Sequence, residues 1–286
     1  MKRHSARILL AICAVSAPTL VLAGTIAGQR PHMPRELAPH LAIYDLKLRD
    51  SKPASGINSF SGRLVFRAEG SSCSGYTTTT RFVGEVFSDQ GSVITDARSS
   101  TFESPGGERF DFSTERYSDH ELVDETEGAA KRTEGGARVT LERPDKTEFD
   151  IPPGTLFPSE HMREILDAAA AGRHILAAPV YDGSETGRIV YQTTTAIGEK
   201  REPMPAAQAA DVAGSGSGSL SSWASWPVTI AYFDPSSATP ELPSYEFTYD
   251  LFGNGISRAI RLDYGDFVLE GDLVSLDLGD APACDL

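Results

Sequence analysis

Residues 44–48 read YDLKL and place an apolar side chain at every second position, with a charged residue between neighbours. A period of two is typical of a β-strand with one packed face and one face in water. Similar runs recur along the chain, at Leu64–Phe66, Phe82–Phe87, Arg109–Phe112, Arg138–Leu141, Arg188–Tyr191, Pro227–Phe233, Tyr245–Phe252, Ile256–Tyr264 and Phe267–Leu278. The spacing therefore predicts an all-β, mainly antiparallel protein.

Turn-forming residues separate these runs. DQG at 89–91, SPGG at 104–107, GG at 135–136 and GNG at 253–255 are typical of hairpin turns. The pattern gives about a dozen strands, more than a flat sheet usually carries without curling. We therefore expect a curled, many-stranded open barrel, or β-spiral, over residues 40–286 as a single domain.

One segment, at about residues 159–172, has helical spacing instead. Met162 and Ile165 fall on one apolar stripe with Leu166 and Ala169. Ser159 is a candidate N-cap and Gly172 a candidate stop. An isolated amphipathic helix in a β-rich chain must bury its stripe, and the concave face of the sheet is the expected place.

Two further segments carry no strand pattern. Residues 199–222 contain the tract GSGSGS at 214–219, which predicts a flexible surface loop, with a domain linker as the alternative. Residues 24–39 contain Pro and Gly and predict a flexible lead-in.

The first 23 residues have the composition of a secretory signal peptide. Lys2, Arg3 and Arg7 precede an interrupted apolar run, and cleavage is expected after Ala23, with Ala27 as a second candidate. The run is short for a membrane span, although an uncleaved anchor is the alternative. We therefore expect a secreted, periplasmic protein that is not an integral membrane protein after cleavage.

The chain is acidic, with a formal net charge of −14 over 286 residues, and loses further positive charge with its signal peptide. This charge argues against nucleic acid as a partner. Of three cysteines, Cys73 and Cys284 remain after cleavage. In an oxidising compartment one disulfide between them is the simplest interpretation, and two free thiols are the alternative.

Catalytic motifs are not recognisable. The glycine-serine tract fits neither a nucleotide-binding loop nor a nucleophile elbow. His161 and Glu164 are one helical turn apart, but no third metal ligand is evident nearby. The acidic residues of 111–127 alternate as expected for the wet face of strands, although a carboxylate pair among them leaves a hydrolase as a minor hypothesis. We expect no enzyme activity, cofactor or metal.

Four residues are candidates for ligand contact. Met162 and Ile165 lie on the predicted helix, and Trp223 and Trp226 belong to an aromatic group that follows the flexible loop. Such residues form a wall for an apolar ligand or simply pack in the core, and the sequence leaves both interpretations open.

The combination of several motifs resembles a known family. They are LAPHLAIYDL at 37–46, PPGTLFPSEH at 152–161, VYDGS at 180–184 and a cysteine close to the C-terminus. Together they are similar to the EipB-type cell envelope integrity proteins of alphaproteobacteria. The resemblance implies a periplasmic β-spiral, a disulfide that maps onto Cys73 and Cys284, and a role in envelope integrity under stress.

Two functions follow as expectations. The first is support of envelope integrity by non-catalytic binding of an envelope component, whether a protein, a lipid or a lipoprotein. The second is a periplasmic lipid or lipoprotein carrier, because the implied architecture is similar to the half-barrels that carry lipoproteins. Fold likeness to carriers is an analogy only.

Overall fold

The computed structural model describes residues 35–209 and 211–284, apart from the side chains of residues 208 and 219. The expected signal peptide, and the lead-in up to residue 34, lie outside the described residues. The strands are β1 (His40–Ser51), β2 (Ile57–Ser71), β3 (Gly75–Ser88), β4 (Gly91–Glu103), β5 (Arg109–Ser118), β6 (Glu121–Thr133), β7 (Gly136–Arg143), β8 (Thr147–Ile151), β9 (Ile175–Val180), β10 (Tyr191–Ile197), β11 (Ser225–Phe233), β12 (Tyr245–Phe252), β13 (Ser257–Asp263) and β14 (Phe267–Leu278). The helices are α1 (Pro158–Ala170) and the short α2 (Ala206–Ala209).

All fourteen strands form one antiparallel sheet in the order β8-β7-β6-β5-β4-β3-β2-β1-β14-β13-β12-β11-β10-β9. Every neighbouring pair is consecutive along the chain except β1 and β14, which join the two ends of the described chain. Strands β8 and β9 are the two edges and do not pair with each other. The prediction of a mainly antiparallel, open and curled sheet is confirmed.

The period of two in the sequence decides which side chains face inward. In β1, residues at alternate positions from His40 to Leu46 are buried, as the YDLKL pattern predicts. Ala42 is opposite Phe66 in β2 and Leu276 in β14, and Tyr44 is opposite Leu64. The pairing of β1 with β2 keeps one register, whereas the pairing of β1 with β14 shifts between Ile43 and Tyr44. Leu273 and Leu276 are nevertheless buried beside Ala42 and Tyr44, so the inward faces of β14 and β1 form a continuous surface.

Two apolar cores lie on the inner side of the sheet. The larger joins β1, β11–β14 and helix α1, and includes Tyr44, Ile165, Val228 and Tyr249. The smaller belongs to β5–β8 and the segment before α1, with members Phe110, Phe112, Ala130, Ala137, Val139, Leu141, Ile151, Phe157 and Tyr181. Helix α1 belongs to the larger core through Ile165, Leu166, Ala168 and Ala169.

Helix α1 begins at Pro158, one residue before the predicted start. Proline favours the first helical position, since its missing N–H has no partner there in any case. Phe157 therefore takes the N-cap position, and the prediction that Ser159 is the cap is wrong. The Ser159 backbone N–H instead donates to Glu103 Oε1 at 2.6 Å. After the helix, Gly172 adopts a φ of 69°, the left-handed conformation that favours glycine.

The segment of residues 199–222 contacts the sheet in a way that its composition did not predict. It contains helix α2 and a 3-10 turn at Ser217–Ser221. Val212 and Leu220 are buried. The Ala213 N–H donates to the Val274 carbonyl at 3.0 Å. Flexibility of this segment stays a prediction.

Residues 35–39, assigned to the lead-in by composition, also contact the fold. The Glu36 carboxylate accepts hydrogen bonds from the Ser72 N–H at 3.0 Å and the Tyr76 hydroxyl at 2.9 Å. The Ala38 N–H donates to the Asn254 carbonyl at 2.9 Å. These contacts attach the segment before β1 to Ser72 and Tyr76 and to Asn254.

Cys73, in the turn between β2 and β3, is bonded to Cys284 near the C-terminus. The two Cα atoms are 5.8 Å apart, which is within the usual range for a disulfide. The bond ties the chain end to the turn beside Glu36.

Candidate functional site

A cavity of about 260 Å³ lies between helix α1 and the inner faces of β2, β3 and β4. We call it the α1 cavity. Its lining residues are Leu37, His40, Phe66, Ala68, Tyr76, Thr78, Thr80, Ser99, Thr101, Pro158, Ser159, Met162, Asp182 and Gly255.

The sheet wall of the α1 cavity is built by the strand register. Thr78 and Thr80 point inward from β3, where they are opposite Thr101 and Ser99 of β4. These are small side chains, so they leave space that larger residues would fill. The other walls are apolar, with Phe66 from β2, Leu37 from the chain before β1 and Met162 from α1. The cavity is therefore apolar with a patch of hydroxyl groups on one side.

A network around Arg132 holds the start of α1 over the cavity. The Arg132 guanidinium donates to Glu160 Oε2 at 2.5 Å and to the Thr155 carbonyl at 2.7 Å. It also lies over the Phe157 ring, 4.1 Å from the ring centroid. Both charged side chains are about four-fifths buried, so the pair is less screened by solvent than a surface salt bridge. This network ties α1 to strand β6.

Glu103, at the end of β4, is 3% exposed and lies against the N-terminus of α1. Its Oε2 atom is buried without a hydrogen-bond partner. Burial raises the pKa of this carboxyl to about 7, against the lowering effect of the hydrogen bond from Ser159.

Two buried histidines are close to the cavity. Burial lowers the pKa of His40, whose Nδ1 lies 2.7 Å from the Ala38 carbonyl. Burial also lowers the pKa of His161 to about 4. Both imidazoles are therefore neutral at neutral pH, and neither contributes a positive charge to the cavity.

Asp182 belongs to the VYDGS motif, in the turn that follows β9. The Ser184 N–H donates to Asp182 Oδ1 at 2.9 Å. Gly183 has a φ of 69°, and a Cβ atom at this position would lie 2.4 Å from the Phe112 ring. The turn therefore requires glycine at 183, and it aims Asp182 at the α1 cavity.

Four tyrosines form a cluster beside this turn. Tyr232 stacks on Tyr245 with ring centroids 4.5 Å apart, and Tyr191 packs edge-on at 5.7 Å from Tyr232. The ring centroids of Tyr264 and Tyr245 are 6.1 Å apart. Tyr264 is 43% exposed, so the cluster reaches the protein surface. We call these four residues the tyrosine cluster.

The four residues predicted from sequence as ligand contacts are not together. Met162 lines the α1 cavity. Ile165 and Trp226 are 0% and 7% exposed and belong to the larger core. Trp223 is 44% exposed and lies beside Gly253. The structure thus places Met162 alone of the four on the cavity wall.

Sequence reasoning missed two features of the cavity, Asp182 and the hydroxyl wall formed by Thr78, Thr80, Ser99 and Thr101. The threonine tract at 77–80 indicated a strand. Which of its side chains face the inside of the protein depends on how the sheet curls, and the sequence does not show that. VYDGS was recognised as a family motif with no chemical role attached.

The described residues lack other features that would indicate a different kind of site. Among them, no group of three or more His, Cys, Asp or Glu side chains is placed to hold a metal ion. No helix within residues 35–209 or 211–284 is both long and apolar enough to span a membrane.

This arrangement defines an open, β-barrel-like protein with a small cavity under α1, the longest helix of the described residues. The chain belongs to the EipB-like family, which it matches over residues 31–280. It is 38% identical to the cell envelope integrity protein EipB of Brucella abortus over 272 residues, 95% of each chain.

A solved structure agrees with the fold. It is the crystal structure of a β-barrel-like protein of a domain of unknown function, also from Brucella abortus. The likeness has a TM-score of 0.78 and 39% sequence identity, and it covers 85% of this chain and 99% of the other. The family membership supports a role in envelope integrity, and the family is named for that role and not for an enzymatic activity.

Proposed function

We propose that this protein supports cell envelope integrity from the periplasm by binding, without catalysis, an apolar segment of an envelope component in the α1 cavity. The observation that carries the proposal is the cavity itself, which helix α1 covers and which Phe66, Leu37 and Met162 make apolar. A signal-like N-terminus and a relative named for envelope integrity support the location and the role.

The size of the cavity limits what it accepts. Small-molecule sites usually measure about 300–1,000 Å³, and the α1 cavity, at about 260 Å³, is just below that range. A single short acyl chain or one apolar side chain fits such a volume. A lipid with several chains requires α1 to move.

A second candidate is a periplasmic carrier of lipids or lipoproteins. It is favoured by apolar side chains on the inner face that are only partly buried, among them Leu64, Phe82, Phe247 and Leu262. Displacement of α1 would join this surface to the cavity. A carrier must release its cargo to an acceptor, whereas a binding protein stays with its partner.

Genetic complementation tests the proposal. Deletion of the gene is expected to sensitise cells to detergent and to cell-wall antibiotics, and the wild-type gene to restore resistance. A Met162→Trp variant, in which the indole occupies the cavity, is expected to accumulate normally and fail to restore resistance. Full rescue by this variant would contradict a role for the cavity.

A further inference from the structure

The α1 cavity ends at a carboxylate that lacks a countercharge. Asp182 lines the cavity, and its hydrogen-bond donors come from its own turn. Burial raises the pKa of its carboxyl, while the hydrogen bonds from Ser184 oppose the shift. No cationic side chain of the described residues forms an ion pair with it. Burial of a charged carboxylate costs free energy unless a positively charged group pairs with it.

The surroundings of Asp182 are negative and aromatic. Burial and the charge of Asp182 both raise the pKa of Tyr191. Glu185 and Asp234 act on the same phenol as further negative charges. Burial, the neighbouring Tyr249 and Asp182 raise the pKa of Tyr232 in the same way. The phenols are therefore neutral, and the turn presents negative potential beside aromatic rings.

Such an environment selects a cation. Ammonium groups are attracted to aromatic faces and bind more strongly when a carboxylate is also present. The tyrosine cluster reaches solvent at Tyr264, and its member Tyr191 is opposite Val180, two residues before Asp182. An anionic headgroup would be repelled by the three carboxylates.

We propose that Asp182 and the tyrosine cluster bind the ammonium headgroup of an amphiphile whose apolar chain occupies the α1 cavity. This inference rests on the proposed function, because it assigns the headgroup chemistry of a ligand for the same cavity. An amphiphile fits better than a lysine side chain of a protein partner. The reason is that Phe66, Met162 and Leu37 line the same cavity as Asp182, so an apolar chain has room beside the charged headgroup.

Calorimetric titration with defined probes tests the inference on the mature protein. The probes are decyltrimethylammonium, the non-ionic decyl glucoside and tetramethylammonium, each below any micelle-forming concentration. Wild-type protein is expected to bind decyltrimethylammonium more tightly than decyl glucoside, and tetramethylammonium most weakly. Asp182→Asn keeps an acceptor for the Ser184 N–H and removes the charge.

Asp182→Asn is expected to weaken decyltrimethylammonium binding about tenfold or more and leave decyl glucoside binding unchanged. Asp145→Asn, at an exposed turn, is the matched control and is expected to change neither. Tyr245→Leu is a second variant that removes an aromatic face without touching the turn, and it is expected to weaken the ammonium probe selectively. Melting temperatures establish that each variant is folded.

The outcomes separate the two proposals. Equal binding of decyltrimethylammonium by wild type and folded Asp182→Asn, with decyl glucoside still bound, overturns the headgroup assignment and leaves the cavity function standing. Failure of both decyl probes to bind wild type overturns both proposals. If tetramethylammonium binds as tightly as decyltrimethylammonium, the apolar chain contributes nothing to binding. That result contradicts the proposal of an amphiphile ligand and indicates a site for a protein amine.

Discussion

Glu103 shows how one residue couples the helix to the sheet. Its carboxyl accepts a hydrogen bond from the first turn of α1 and leaves its second oxygen unpartnered in the interior. The pKa is raised, mainly by burial, from 4.5 to about 7. A raised pKa means that the folded protein holds this proton more tightly than the unfolded chain does.

The sign of the pH effect follows from that difference. Glu103 contributes stability that is fully present below pH 4.5 and is lost as pH rises through about 7. The contribution has an upper limit of about 3 kcal/mol, since each unit of pKa corresponds to about 1.4 kcal/mol. Glu103→Gln is expected to stabilise the protein at pH 8 relative to wild type and to have little effect at pH 5. Thermal unfolding at the two pH values measures this, and an equal change in melting temperature at both would contradict it.

The second prediction at the scale of residues concerns the disulfide. Loss of the bond between Cys73 and Cys284 is expected to cost about 2–5 kcal/mol, because it closes a long loop in the unfolded chain. Cys73→Ser should therefore lower the melting temperature and expose Cys284 to thiol reagents. Cys284→Ser is the matched control and should behave in the same way. Labelling of both cysteines in untreated wild-type protein would show free thiols.

At the scale of elements, helix α1 has two kinds of apolar residue. Ile165 is fully buried in the larger core, whereas Met162 is partly exposed to the cavity. Ile165→Ala is expected to destabilise the protein by about 2–5 kcal/mol, since it leaves a void in packed surroundings. Met162→Ala should cost less, because it only enlarges an existing space. Chemical denaturation of the two variants makes the comparison, and equal costs would contradict the assignment of Met162 to a cavity wall.

The helix also shows where sequence reasoning ends. The apolar spacing of Met162, Ile165 and Leu166 predicted the helix within two residues at each end. The capping residue was assigned wrongly because Pro158 competes for the first helical position and moves the N-cap to Phe157. Which apolar residue faces the core and which faces a cavity depends on the sheet that receives the helix, and local spacing does not contain that information.

At the scale of the whole molecule, the continuity of the fourteen-stranded sheet depends on one pairing between distant parts of the chain. Hairpin neighbours follow from alternation and turns, so the antiparallel order was predictable for most strands. The pairing of β1 with β14 is different, because it joins His40 to Leu278, and no local pattern predicts it. The curl that this pairing permits brings β2–β4 opposite α1 and creates the cavity. The hydroxyl wall and the position of Asp182 are consequences of that curl.

The lining of the α1 cavity supports the proposed binding role. Thr78, Thr80, Ser99 and Thr101 supply hydroxyl groups to its wall. His40 and His161 are buried and neutral. The cavity therefore offers apolar surface, hydroxyl groups and, at Asp182, a carboxyl group.

The most direct test of the central claim is mass spectrometry of organic extracts from protein purified gently from its native cells. Wild-type protein is expected to carry a near-stoichiometric amphiphile, and Met162→Trp, purified in parallel, to carry at least tenfold less. Clean extracts from folded wild-type protein, or the same amphiphile at the same level in both proteins, would contradict binding of an amphiphile in the α1 cavity.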